Sequence, residues 1–201
     1  MTATRLVPLS GIVAVAVIFA AFAISGETPS TDAPLNEVVD FYNDHKDDLQ
    51  LTGALLALGA LFFTFFSTTL AGVLRRAQGE TGGSSALSFG GGILFAVGLA
   101  IFAGLNFTIG DAADDIDPAS LQALHVLGND MFFPLAVGTA AFLLGSGIAI
   151  VKTGALPKWL GWVAIVLGVL SATPLGFFAF MGLGVWTLIV SVLLWVRAGT
   201  A

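Results

Sequence analysis

The sequence predicts an all-α integral membrane protein: a bundle of six transmembrane helices in one domain, residues 1–201. Three observations predict this class. The chain is 57% hydrophobic and only 10% charged, whereas a soluble domain has about 25% charged residues. Its apolar residues fall in long runs with almost no charge. The charged residues lie between the runs, and their sign alternates from one gap to the next, as in chains that cross a bilayer repeatedly.

Six apolar runs are each long enough to cross a hydrocarbon core of about 30 Å. Backbone groups cannot stay unpaired in lipid, so continuous runs of this length must be helices. The predicted spans are residues 7–24, 51–74, 87–109, 131–151, 159–175 and 177–196. The first run also fits a signal peptide with a cleavage site near Ala21–Ala23, but we expect it to be a retained first span. The last two runs are divided only near Thr173–Gly176, so they should pack as antiparallel neighbours.

The charged gaps predict an orientation. Segments 25–50 and 110–130 carry twelve of the thirteen Asp and Glu residues, and Lys46 is the only base in them. Lys and Arg are retained on the cytoplasmic side of a membrane, so we place these acidic segments on the outer face and both termini in the cytoplasm. A sixth span is needed to bring Arg197 back to the inner side. The remaining bases are Arg5, Arg75, Arg76, Lys152, Lys158 and Arg197.

Composition excludes several classes of function. The net charge of -6 argues against nucleic acid, whose phosphates attract basic patches. The chain has no cysteine, and so no disulfide, thiolate metal site or cysteine nucleophile. The spans hold no Asp, Glu, Lys, Arg or His. Proton pumps, ion-coupled transporters and voltage sensors usually need such groups at depth, and a retinal-type Schiff base needs a lysine there.

The two acidic segments contain helix signals of their own. In the second segment, Asp117 is suited to cap a helix that starts at Pro118 and continues towards the fourth span, with a kink at Pro134. In the first, apolar residues recur at helical spacing with acids between them, which predicts a short amphipathic helix on the outer face. These apolar residues are Leu35, Val38, Val39, Tyr42 and Leu49.

The second and third spans supply the candidate residues for an intramembrane ligand. Asn106 is the best candidate for a polar ligand contact, and Thr64 carries one of the few hydroxyls inside a span. Phe62 and Phe66 belong to a phenylalanine cluster that could line a pocket for a lipid tail or an isoprenoid. The alternative for Asn106 is a hydrogen bond to a neighbouring helix, and for the phenylalanines it is ordinary core packing.

Small residues at every fourth position, from Gly92 to Gly104 in the third span for instance, predict close contact between helices. That contact is either packing within the bundle or an interface with a second copy or another membrane protein.

The outer face holds the only residues with a metal-binding character. If the two outer helices meet, His45, Asp48, His125 and Asp130 would form a cluster of two imidazoles and two carboxylates that could bind a divalent metal. Their spacing matches no dedicated metal motif, and a solvated acidic surface is the alternative. No other cofactor is indicated, because the chain has no phosphate loop or dinucleotide fingerprint.

Three stretches carry a family resemblance. They are Phe41-Tyr42 before the second span, Phe66 through Leu74-Arg75-Arg76 to Glu80 at its end, and Thr153–Trp162 (TGALPKWLGW). Together they resemble a large group of uncharacterised bacterial multi-pass membrane proteins that is abundant in actinobacteria. The resemblance implies a helical bundle in a bacterial plasma membrane, and it transfers no catalytic residues.

Three functions stay open on the sequence alone. The favoured one is a non-enzymatic binding or accessory protein whose partner, besides the lipid bilayer, is a lipid-like ligand or a membrane protein. The second is a carrier or channel for a neutral or apolar solute. A continuous cavity lined by Asn106 and the hydroxyls of the second span would favour it, and a filled bundle centre would count against it. The third is an outer-face metal-dependent enzyme that uses His45 and His125.

Overall fold

The computed structural model describes residues 6–79 and 83–200. Arg5 and Glu80, used above for the charge pattern and the resemblance, lie outside the described residues. The described residues form no strand; a short 3-10 helix (Val7–Leu9) leads into the first α-helix. The α-helices are α1 (Ser10–Ser25), α2 (Leu35–Asp44), α3 (Lys46–Gln78), α4 (Gly83–Ala112), α5 (Pro118–Asp130), α6 (Phe132–Thr153), α7 (Lys158–Leu170) and α8 (Gly176–Thr200).

The predicted class of all-α membrane bundle is confirmed. Within the described part of the chain, five helical stretches are long and apolar enough to cross a membrane. They are Val7–Ser25, Lys46–Gln78, Gly83–Ala112, Pro118–Thr153 and Gly176–Ala198. Helix α7 is apolar but shorter.

The fifth predicted span is shorter as a helix than expected. It was placed at residues 159–175, but α7 ends at Leu170 and turns follow up to α8. Pro174 explains the early end, because it cannot donate a hydrogen bond to the carbonyl of Leu170, four residues earlier, and its ring crowds that carbonyl. At 1.5 Å per residue, α7 is about 20 Å long.

The hairpin of α7 and α8 nevertheless runs along α6. At one end, the Arg197 guanidinium donates a hydrogen bond to the carbonyl of Ala155, in the turn between α6 and α7. At the other end, Gly176 lies against the ring of Phe132, the first residue of α6. The predicted antiparallel packing is therefore confirmed, and Arg197 lies at the same end of the bundle as Lys158.

Glycines bring α4 and α6 into backbone contact. A Cβ on Gly91 would lie 2.2 Å from the backbone nitrogen of Phe142, and one on Gly145 would lie 2.3 Å from that of Ser88. The predicted stripe from Gly92 to Gly104 is not one interface, because a Cβ added at Gly104 would meet no other described part of the chain within 4 Å. Positions four apart drift by about 40° per step around a helix, so a long ladder of that spacing leaves the contact face.

Aromatic rings fill the centre of the bundle. The ring of Phe63 lies 4.5 Å from that of Phe95 and 5.2 Å from that of Phe142, measured between centroids. Phe142 in turn meets Trp186 edge-on at 6.0 Å. Trp186 is fully buried, and its indole nitrogen donates a 2.9 Å hydrogen bond to the carbonyl of Leu160. Four helices are therefore joined through one continuous aromatic core.

The acidic segments fold together as a cap on one end of the bundle. The predicted amphipathic helix is confirmed as α2, which packs on α5 and on the end of α4 around a second apolar cluster. Lys46 forms an ion pair with Asp114, which joins the start of α3 to the loop after α4. The buried members of the cluster are Ala33, Val38, Tyr42, Leu49, Ile109, Ala113 and Leu121.

The predicted N-cap of α5 is also confirmed. The Asp117 carboxylate accepts hydrogen bonds from the backbone nitrogen of Ser120 at 3.0 Å and from its hydroxyl at 2.6 Å. The boundary between α5 and α6 falls at Met131, three residues before the predicted kink at Pro134. Proline cannot donate to the carbonyl four residues earlier, and its ring crowds that carbonyl, so the helix is interrupted ahead of Pro134.

Candidate functional site

The polar ligand candidates bond to their own helices. The Thr64 hydroxyl donates to the carbonyl of Ala60 at 2.9 Å, and the Asn106 amide donates to the carbonyl of Phe102 at 2.8 Å. The hydroxyls of Thr68 and Thr69 are bonded in the same way to carbonyls four residues earlier. This pattern is common in membrane helices, since it satisfies the side chain without a second helix.

The two phenylalanine candidates take up core positions. Phe66 is completely buried and lies against Gly11, where an added Cβ would come within 2.7 Å of its ring. Phe62 is half-buried at the edge of the same core. Neither side chain lines the recess described below, whereas their neighbour Phe63 does.

The metal candidates are divided between different environments. His45 stacks on Phe41 at 4.5 Å, and its Nδ1 donates to the Phe41 carbonyl at 2.8 Å. Asp48 and Asp130 are exposed, while His125 is buried in the cap. No group of three or more His, Asp or Glu side chains that could hold a metal ion occurs in residues 6–79 and 83–200. The metal site remains a prediction without a supporting geometry.

His125 instead holds the cap together. Its Nδ1 lies 2.9 Å from the hydroxyl of Tyr42, and its Nε2 lies 3.1 Å from the carbonyl oxygen of Ser30. A carbonyl can only accept, so Nε2 carries the hydrogen and Nδ1 accepts from Tyr42. The Asn129 amide nitrogen also lies 3.2 Å from Nε2, but a protonated Nε2 cannot accept a hydrogen bond from it. One imidazole thus joins α2, α5 and the loop after α1.

Burial of Tyr42 changes its acidity. The side chain lies in the apolar cluster of the cap, and this burial raises the pKa of Tyr42 to about 12. Desolvation disfavours the phenolate, so the hydroxyl keeps its proton and remains a donor to His125 throughout the physiological range.

A recess lies inside the bundle between α1 and α8. It has a cavity volume of about 20 Å³, and we call it the α1/α8 recess. Helices α3 and α4 form its floor. Its lining is apolar except for one hydroxyl: Val15, Ile18, Phe19, Phe63, Phe95, Phe180, Leu183, Gly184 and Thr187.

One side of the recess lies at the surface of the bundle, beside Phe19. Phe19 is 39% exposed, while Gly184 opposite it is buried, and a Cβ there would come within 2.8 Å of the Phe19 ring. Thr187 lies near the middle of α8, about eleven residues from each end of its apolar stretch. The recess is therefore at mid-depth in the bundle.

The one polar side-chain group of the recess has no hydrogen-bond partner among the described residues. Thr187 is completely buried, and its hydroxyl oxygen forms no hydrogen bond to any described residue. It shares this property with Ser10, Ser67 and Ser191, but among these four only Thr187 lines the recess. The hydroxyls of Thr64, Thr68 and Thr69, by contrast, are all satisfied by backbone carbonyls.

Thr187 and Phe63 were not among the site residues predicted from the sequence. Both lie in predicted spans, but their residue types are shared with many neighbours. The signal that distinguishes them is the gap between α1 and α8, which arises from tertiary packing and not from a local motif.

Comparisons of the chain with protein-family models, with curated proteins and with solved structures gave no match. The fold and the candidate site therefore rest on the geometry of this chain. The resemblance to actinobacterial membrane proteins stays a prediction.

Proposed function

We propose that this chain is a non-enzymatic binding protein of the bacterial plasma membrane, and that it holds a lipid-like molecule within the bilayer. The observation that carries the proposal is the α1/α8 recess, which is lined by apolar side chains and opens sideways between two membrane helices. A molecule dissolved in the bilayer could enter such a site directly from the lipid. Apolar concave sites with few polar groups are typical of small-molecule binding.

The filled centre of the bundle favours binding over transport. A pathway for a solute would need a continuous cavity, but Phe63, Phe95, Phe142 and Trp186 occupy the middle of the molecule in mutual contact. The hydroxyl of Thr64, which could have lined a pathway, is bonded to its own helix. A recess that ends at this aromatic core can hold one small group of a lipid-like molecule but does not lead the molecule across the membrane.

The proposal includes an orientation of the bundle across the membrane. We place the acidic cap on the outer face and the termini in the cytoplasm, because Arg75, Arg76, Lys152, Lys158 and Arg197 all belong to the other end. In this orientation, the cap covers the outer end of the bundle above the recess. A membrane-protein partner remains the alternative occupant of the lipid-facing surface.

Photocrosslinking tests the proposal. The probe is a palmitic acid analogue with a diazirine near its methyl end, which samples the centre of a bilayer, and the protein is reconstituted in phosphatidylcholine nanodiscs. We expect crosslinks to concentrate on the segments of α1 and α8 that contain Phe19 and Gly184. Labelling spread evenly over all lipid-facing helices would contradict a binding site.

A pair of glycine variants supplies the control. Gly184→Leu fills the mouth of the recess, because even a Cβ at Gly184 would crowd Phe19. Gly104→Leu adds the same side chain at a position where an added Cβ would meet no other described part of the chain within 4 Å. We expect Gly184→Leu to abolish the concentrated labelling and Gly104→Leu to leave it unchanged. Equal labelling of both variants would refute the recess as the binding site.

A further inference from the structure

The Thr187 hydroxyl is the feature of the recess that apolar packing does not explain. Leaving a hydroxyl without a hydrogen bond in an apolar environment is energetically unfavourable. Membrane helices usually avoid this cost by bonding Ser and Thr to their own backbone, as Thr64 and Thr68 do here. Thr187 lacks such a bond and lines the recess. A ligand in the recess would therefore meet an available donor.

The space beside Thr187 fits one small group. About 20 Å³ is enough for a single water-sized group. Water itself is poorly suited, because a buried water needs two to four polar partners and the other lining residues are aliphatic, aromatic or glycine. An oxygen atom attached to an apolar molecule needs only the one partner that Thr187 provides.

The lining residues also restrict which oxygen-containing group of a ligand can bind beside Thr187. No Lys, Arg or His lines the recess, so an anionic group would lie in it uncompensated. A ligand hydroxyl would bring a hydrogen of its own, for which the lining side chains offer no second acceptor. A carbonyl oxygen has no hydrogen and accepts the one that Thr187 donates.

The depth of Thr187 in the membrane excludes the ester carbonyls of ordinary phospholipids as its hydrogen-bond partner. Thr187 follows Gly176, the first residue of α8, by about eleven residues, which corresponds to roughly 16 Å along the helix. Half the thickness of a hydrocarbon core is about 15 Å. Phospholipid esters lie at the edge of that core, so their carbonyls do not reach Thr187. A free molecule with a carbonyl on an apolar skeleton can.

From these observations we infer that the α1/α8 recess binds a neutral apolar carbonyl compound, a ketone or a quinone, whose oxygen accepts a hydrogen bond from the Thr187 hydroxyl. The inference rests on the proposed binding function and names the class of ligand. Lipid tails are as apolar as the recess, so burial alone hardly favours a ligand over the surrounding lipid. The hydrogen bond to Thr187 supplies the selectivity for the carbonyl compound.

A matched pair of probes tests the inference. Laurone, a symmetrical long-chain ketone, and tricosane, the hydrocarbon of the same length, compete against the diazirine probe in nanodiscs. One hydrogen bond in this setting makes laurone about threefold to tenfold the stronger competitor. Thr187→Val keeps the shape and should remove this preference, while Thr187→Ser should restore it. Thr64→Val, which removes a hydroxyl outside the recess, should have no effect.

Infrared spectroscopy gives an independent readout. Isotope-labelled laurone should show a carbonyl band at lower frequency with the wild type and with Thr64→Val, and should lose it with Thr187→Val. Equal competition by laurone and tricosane, or a preference that survives Thr187→Val, would overturn the carbonyl assignment while leaving lipid binding in place. If the diazirine probe shows no concentrated labelling at all, the proposed function itself fails.

Discussion

Removing the Tyr42 hydroxyl should loosen the acidic cap. In the structure this hydroxyl donates to Nδ1 of His125 at 2.9 Å, and His125 is only 1% exposed. Tyr42→Phe removes the donor with almost no change of shape, and it leaves Nδ1 buried without a partner. The ring of Phe still fills the apolar cluster, so the change isolates the hydrogen bond from the packing.

The size of the effect follows from that burial. Leaving a buried acceptor unsatisfied costs about 1–3 kcal/mol. Since about 1.4 kcal/mol changes an equilibrium constant tenfold, the opening of the cap should become about 5-fold to 150-fold more frequent. The loss should be confined to the cap, because the other contacts of α3 and α8 do not involve Tyr42.

Amide hydrogen exchange measures this opening directly. With the protein in nanodiscs, we expect faster exchange in peptides from α2 and α5 of Tyr42→Phe, and unchanged exchange in peptides from α8. Replacing both partners with apolar residues should be milder than the sum of the single changes, so the variant Tyr42→Phe/His125→Leu completes a double-mutant cycle. Unchanged exchange in α2 and α5 of Tyr42→Phe would refute the role given to this hydrogen bond.

Three further predictions concern acidity and packing. Tyr42 is the only tyrosine of the chain, so an ultraviolet absorbance titration should report its pKa at about 12. Because this pKa is raised above the value of about 10 for an unfolded chain, cap stability should be complete below pH 10 and fall as the pH rises through about 12. Hydrogen bonds from Ser120 lower the pKa of Asp117, so the protection of α5, corrected for the intrinsic pH dependence of amide exchange, should decrease as the pH falls through that lowered pKa. Asp117→Ala should remove this dependence. Gly91→Leu should separate α4 from α6 and yield aggregated protein in size-exclusion chromatography, because a Cβ there would meet the backbone of Phe142. The control Gly90→Leu should elute normally, since a Cβ at Gly90 would meet no other described part of the chain within 4 Å. Normal elution of both variants would contradict the described contact.

The fold could be predicted because it depends on properties of consecutive residues. A long apolar run in lipid has to form a helix, and this requirement predicted α1, α3, α4, α6 and α8. Capping is equally local, which is why Asp117 was recognised in advance. The end of α7 was misjudged because no charged residue marks an end of the span in residues 171–175, while the backbone turns there.

The site could not be predicted in the same way because it depends on the packing of distant residues. Thr64 and Thr187 are both threonines in apolar helices, and only the structure distinguishes the hydroxyl bonded to its own backbone from the one without a partner. For His125, sequence reasoning considered a metal because carboxylates are abundant nearby. In the structure, the ring of His125 forms hydrogen bonds with Tyr42 and Ser30, two partners that are far away along the chain.

The arrangement of the helices across the membrane is the claim on which the α1/α8 recess and its proposed ligand depend. The chain has no cysteine, so single cysteines report without background. Asp115→Cys and Thr173→Cys introduce exposed thiols at the acidic end, and Ala77→Cys introduces one near Arg75 and Arg76. With a membrane-impermeant maleimide on intact cells, we predict labelling of the first two variants, and labelling of Ala77→Cys only after permeabilisation. Labelling of Ala77 from outside, or protection of Thr173, would contradict the arrangement of helices across the membrane.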